Sequence, residues 1–123
     1  MSTESPGFIS LRQAIDMTTR YRDNMTAVID PAYADKNILC ISDTLDKSAI
    51  ETLINKTDCA AIRLYYGMNE NLQICPIIVA VNANNEDILP TSSTLSYDVV
   101  TDDIVDDASK CPPFCPPPSP LNT

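Results

Sequence analysis

Ala60-Ala-Ile-Arg-Leu-Tyr-Tyr-Gly-Met-Asn-Glu-Asn-Leu-Gln-Ile-Cys-Pro-Ile-Ile-Val-Ala-Val81 is the stretch that decides the fold. From Ala60 to Tyr66 the side chains alternate, with Ile62, Leu64 and Tyr66 on one face and Ala61, Arg63 and Tyr65 on the other, the period of two that marks a strand. Leu72 to Val81 is the next apolar run. Gly67 to Asn71 supplies loop chemistry between the two, so they read as an antiparallel hairpin. Pro76 has no N–H to give to a ladder, which predicts that the second strand is an edge, carries a bulge, or begins at Ile77. Asn82-Ala-Asn-Asn85 turns the chain again and leaves Ile88 and Leu89 for a last short strand or a packed cover.

Upstream of the hairpin, Asn55 to Asp58 is a polar turn. Before it, Leu45, Ala49, Ile50, Leu53 and Ile54 form the apolar face of a predicted helix, with Asp43 or Thr44 as its N-cap. Asn37 to Ser42 reads as a short strand. Leu11, Ala14, Thr18, Tyr21, Met25 and Val28 recur every three to four residues, with Ile15 beside them, which predicts an amphipathic helix. Ser10 and Gln13 form its capping box, and Pro31 ends it because a residue before proline is pushed out of the α region. Residues 1 to 8 read as a flexible leader. The predicted class is α+β: a small mixed or antiparallel sheet of about three to four strands with two helices packed on one face.

Beyond Pro90 the composition turns to Thr, Ser, Asp and Pro, which divides a body of residues 9 to 89 from an extended, Pro-rich C-terminal tail of residues 90 to 123. Thr101 caps a predicted short helix over 101 to 110, with Asp102 and Asp103 in its first turn and Lys110 at its end, charges that suit the macrodipole. Its apolar content is only Ile104, Val105 and Ala108, so it is marginal on its own. There follows Cys111-Pro-Pro-Phe-Cys115-Pro-Pro-Pro-Ser-Pro120, which cannot be helix or central strand. As polyproline II, the Cα atoms of Cys111 and Cys115 would lie roughly 12 Å apart, beyond the span of a disulfide. A bridge between them requires a turn at Phe114 or a cis proline.

Composition prunes the function classes. The chain of 123 residues fits one domain, and none of its apolar runs is long enough for a spanning helix. A net charge of −9 with dispersed Lys and Arg repels phosphate backbones, so no nucleic-acid partner is expected. Residues 1 to 89 carry −5 and the shorter tail −4. The chain has no histidine and only two glycines, which removes the usual general base, the common nucleophile pairs and the Gly-rich phosphate cradle, and argues against most enzymes. Met1 to Gly7 has no export pattern, and five cysteines is an odd number, so a cytoplasmic chain with reduced thiols is the expectation.

Three readings stand for Cys111 and Cys115: disulfide, metal site, or free thiols in a docking segment. Thiolate activation is poor beside Asp106 and Asp107, and a structural zinc needs four ligands where one tail supplies two, so zinc would take the tails of two chains. Asp98, Asp102, Asp103, Asp106 and Asp107 lack the spacing of a calcium loop. Cys40, Cys59 and Cys75 lie in or beside apolar segments and read as small core residues. Arg63 beside Tyr65 is a candidate anion-binding pair, against the commoner arrangement of an aromatic packed along an Arg stem. Pro113, Phe114, Pro116 and Pro117 form a candidate docking segment, with Phe114 as anchor on a low-entropy rail.

Ile9-Ser-Leu-Arg-Gln-Ala-Ile-Asp-Met-Thr-Thr-Arg-Tyr-Arg22, Cys59-Ala-Ala-Ile-Arg-Leu-Tyr-Tyr-Gly-Met68 and the Cys-Pro-Pro-x-Cys-Pro ending, read together, resemble a family of small, uncharacterised bacterial proteins. The resemblance implies bacterial, cytoplasmic origin and transfers no catalytic residue. The Cys75-Pro76 pair departs from the regular strand expected there. The functional expectation is a non-enzymatic interaction or self-assembly module without cofactor, whose tail docks on a protein partner or a second copy. The alternative is a thiol redox or inter-chain zinc site at Cys111 and Cys115.

Overall fold

The structure, a computed structural model, describes residues 7–90, 97–106 and 108–123. Most of the predicted leader, and Asp107 of the acidic group, lie outside these residues. The chain is a small α+β protein with two antiparallel sheets. Helix α1 spans Leu11–Asn24, β1 Ser42–Leu45, α2 Lys47–Ile54, β2 Ala61–Met68, β3 Ile74–Val81, β4 Ile104–Val105 and β5 Ala108–Cys111. One sheet has the order β2-β3-β4, and β1 pairs β5 in the other.

The predicted hairpin is the centre of the fold. Ala61 lies opposite Val81, and the register runs without a break to Met68 opposite Ile74. Strand β2 continues two residues past the predicted Tyr66, and Asn69 closes the loop by accepting from the Asn71 and Gln73 N–H groups through its side chain. Contrary to the edge expected from Pro76, β3 is the central strand. Ala80 gives its carbonyl to Ile88, so the even-numbered residues of β3 bond on the β4 side. The β4 ladder reaches only Ile78 and Val79, so the donor that Pro76 lacks falls beyond its end.

Leu53 of α2 is fully buried and forms the core with Ile78 and Ala80 of β3, covered by Leu45, Ile50, Cys59, Ile88 and Val105. Ile88 is thus the packed cover expected after the Asn82 turn. The N-cap of α2 is Asp46, which accepts from Ser48 N–H, in place of the predicted Asp43 or Thr44. Those two lie in β1, displaced from the predicted strand at Asn37 to Ser42 because its partner β5 pairs Ser42 to Leu45. Asn37 takes φ 52°, which takes that residue out of an extended strand.

Helix α1 has the predicted Ser10–Gln13 capping box. It ends at Asn24, not at Pro31: the Asn24 amide bonds back to Arg20, and Ala27 and Ile29 close tighter turns onto Asn24 and Thr26. Unlike α2, it buries no residue fully. Its inner stripe is half-buried, and Tyr21 ties it down by donating to the Cys40 carbonyl.

The short helix expected over 101 to 110 is replaced by strands β4 and β5. Too few apolar residues were present to hold a lone helix, whereas β3 and β1 offer ready ladders to the β-branched Ile104 and Val105 and to Ala108–Cys111. The break in composition at Pro90 is therefore crossed by both sheets. Lys110 links the two, donating to Asp43 of β1 at 2.9 Å and to the Ile74 carbonyl of β3 at 2.7 Å. Lys56 after α2 pairs Asp102 and Asp103 ahead of β4.

Candidate functional site

Strand β5 delivers Cys111 to the end of its sheet, opposite Ser42, where it is 2% exposed and its carbonyl accepts from Ile41 N–H at 2.8 Å. The run beyond does not continue as polyproline II. The Cys111–Pro112 and Pro112–Pro113 peptide bonds are cis, and Phe114 N–H donates back to the Lys110 carbonyl at 2.8 Å. The chain reverses and Cys115 joins Cys111 in a disulfide with a Cα–Cα distance of 4.4 Å. The expectation of separated, reduced tail thiols is corrected: of the two conditions sequence allowed for a bridge, a turn and a cis proline, both are met.

Phe114 stands at the tip of this closed loop with 69% of its surface exposed, and Pro113, Pro116 and Pro117 around it are also exposed. The last residues return to the body as a strap. Ser119 and Asn122 close a turn, and the Arg22 guanidinium of α1 donates to the Leu121 and Thr123 carbonyls. The loop is thereby anchored on both flanks, by β5 before it and by α1 after it.

Cys111 and Cys115 differ in access, since Cys115 is exposed. In the disulfide neither sulfur is a thiolate, so in this state the pair offers zinc no ligand. Among the described residues no group of three or more His, Cys, Asp or Glu is placed to hold a metal ion. Cys40, Cys59 and Cys75 are free thiols, Cys75 buried and the others partly so, as core residues would be. Burial pushes the Cys40 thiol above its ordinary pKa, with Lys110 opposing and Asp43 adding to the rise, so it stays protonated and weakly nucleophilic at neutral pH.

The second candidate lies on β2. Arg63 and Tyr65 are together on one face, as their spacing predicts, and their anion is the protein's own Asp87. Arg63 donates to one Asp87 oxygen and Tyr65 to the other, each at 2.5 Å, while Asn85 accepts from the second guanidinium nitrogen. The Tyr65 hydroxyl and then the Arg63 guanidinium hold the Asp87 carboxyl below its usual range; the same bond to Asp87 raises the Tyr65 phenol. With its carboxylate supplied internally, the pair acts as a clasp that fixes the Asn82 to Asp87 turn against β2. Asp87 and Asn85 escaped sequence reading because only the Val81–Asp87 bridge brings them beside Arg63.

No protein-family model, curated protein or solved structure matches this chain. Among the described residues no helix is long and apolar enough to cross a membrane.

Proposed function

We propose that this chain is a non-enzymatic bacterial protein-interaction module whose disulfide-closed loop presents Phe114 to a protein partner. One observation carries the reading: a large aromatic side chain, 69% exposed, at the tip of a loop closed covalently at both ends. An aromatic anchor inserted into a pocket is the residue type that dominates binding energy, and a loop ordered in advance loses little entropy on docking. Pro113, Pro116 and Pro117 stiffen its flanks further. The partner that fits is an apolar groove with a basic rim, complementary to a chain of net charge −9.

The test compares wild-type protein with Phe114→Ala, which exposure predicts to fold normally. A protein retained by immobilised wild type and lost with the variant, then shown to bind purified wild type more tightly than the variant, supports the reading. Identical retained sets would sink it.

The unequal exposure of the two cysteines favours a second reading, thiol–disulfide exchange. A partner thiolate attacks the sulfur of the more exposed Cys115, a mixed disulfide forms, and Cys111 leaves as thiolate. In a reducing compartment such a labile pair would cycle, and the reduced thiolates of two chains could supply the four ligands of zinc. Alkylation with and without reductant separates this from docking: a bond untouched by glutathione at cytosolic poise leaves only the first reading.

A further inference from the structure

We propose that β2 is a self-pairing edge on which a second copy of this chain docks, antiparallel, about a two-fold axis at Tyr65. The surface is separate from the Phe114 loop. Strand β2 is the outer strand of its sheet. Because the even-numbered residues of β3 bond away from β2, their opposite numbers on β2 do likewise. Ile62, Leu64, Tyr66 and Met68 therefore aim their N–H and C=O groups outward, and no strand among the described residues receives them.

The side chains of the same four residues form an unbroken apolar stripe along that edge, from 41% exposed at Ile62 to 84% at Tyr66. Edge strands that stay unpaired are protected by Lys, Pro, a bulge or a covering element. Strand β2 has no Pro or Lys, and its pairing to β3 is free of bulges. Its single charge, Arg63, lies on the opposite face and is clasped by Asp87.

Register and the placement of Arg63 select the second copy as occupant, against a net charge of −9 on each chain that keeps the pairing weak. Closing a ladder requires outward residues to meet outward residues, and a two-fold at Tyr65 is the register that engages all four. Ile62 then lies opposite the partner's Met68 and Leu64 opposite the partner's Tyr66, apolar pairs that stabilise a sheet. Arg63 meets the partner's Gly67, the one position of β2 without a side chain, so the two arginines are not opposed. Its diagonal neighbour is the partner's Tyr65, whose hydroxyl carries the partner's Asp87, so opposite charges alternate across the axis. The product is a continuous six-stranded sheet. An eight-residue edge is only about 26 Å long, and its contact falls short of the roughly 800 Å² per partner of a stable complex, so the dimer is weak and reversible.

Sedimentation of the full chain from about 5 μM to about 300 μM, a range that brackets weak association, should reveal a monomer–dimer equilibrium. Tyr66→Lys should weaken it at least about tenfold, by placing a charge in the apolar stripe, with an unchanged melting curve because Tyr66 is exposed. Register is read by oxidation in air. Tyr65→Cys places two thiols across the axis at a Cα separation of about 4.5 Å, within disulfide reach, and should cross-link, whereas wild type and Arg63→Cys should not. A monomer throughout the range would overturn the proposal and leave the edge to a foreign extended peptide. A dimer indifferent to Tyr66→Lys, or cross-linking of Arg63→Cys as fast as of Tyr65→Cys, would overturn it equally.

Discussion

Opening the Cys111–Cys115 bond is the perturbation that probes the loop most directly. The cysteines are four residues apart in sequence, and closing a ring of that size removes about 7 cal/mol/K from the unfolded chain, or about 2 kcal/mol at 25 °C. The folded side of the balance should change little. Cys111 is held by its ladder to β1, Phe114 N–H by the Lys110 carbonyl, and the strap by Arg22. With an unfolding entropy of about 2.1 cal/mol/K per residue, a loss of that size lowers the melting temperature by about 8 °C. The assay is thermal unfolding with and without a phosphine reductant, thiols alkylated afterwards to verify opening. Cys115→Ser is the control, because its melting temperature should already be low and should not respond to reductant. A shift under about 2 °C on verified opening would refute the reasoning, since the ring would then contribute far less than the loop-closure term, and pre-ordering of Phe114 would rest on the backbone alone. A full shift that persists in Cys115→Ser would place the effect elsewhere.

Other outcomes follow from the core, the clasp and the hairpin. Leu53→Ala, at a fully buried position, should cost about 2–5 kcal/mol in urea unfolding, while Ile54→Ala one residue on, half exposed, should cost under about 1 kcal/mol. The Asp87 and Asp103 carboxyls are lowered, by the Tyr65 hydroxyl ahead of Arg63 and by Lys56 respectively. Their contribution is complete above the unfolded carboxylate value of about 3.9 and is lost as pH falls through the lower folded values, so Asp87→Asn with Asp103→Asn should flatten the fall of the urea midpoint on acidification. In Asp87→Asn the Tyr65 phenol, no longer bonded to a carboxylate, should titrate at lower pH by ultraviolet absorbance. Gly67→Ala sets a Cβ 2.6 Å from Ile77 Cδ1 and should cost about 1–3 kcal/mol; Ile77→Val removes that methyl, so the double variant should recover part of the loss in a double-mutant cycle.

The parts legible in sequence are those set by local periodicity. The capping box at Ser10 and Gln13, the apolar face that puts Leu53 in the core, and the alternation of Ile62, Leu64 and Tyr66 against Arg63 and Tyr65 all rest on residues within a few positions of one another. The misread parts depend on distant partners. Residues 101 to 110 carry helix-compatible charges, yet Lys110 bonds Asp43 and Ile74 instead of a helix end, because the ladders offered by β3 and β1 and the packing of Val105 on the core outweigh a marginal helix. Pro76, which lacks a donor, predicts an edge, a bulge or a start at Ile77, but β3 is central, regular and begins at Ile74, because the missing donor is harmless where a two-residue β4 does not reach.

The candidate sites divide along the same line. Sequence by itself determined that Phe114 sits between two cysteines in a proline run, that Arg63 and Tyr65 share a strand face, and that the chain is α+β and acidic, since composition and periodicity need no third dimension. Tertiary structure alone decided that the run turns back and closes, that Asp87 claims the Arg63–Tyr65 pair, and that β2 has an apolar edge with no partner strand among the described residues. Each of these depends on which segments meet, and contacts between residues far apart in sequence are set by the summed burial and hydrogen bonding of the whole chain, not by the preferences of any one stretch.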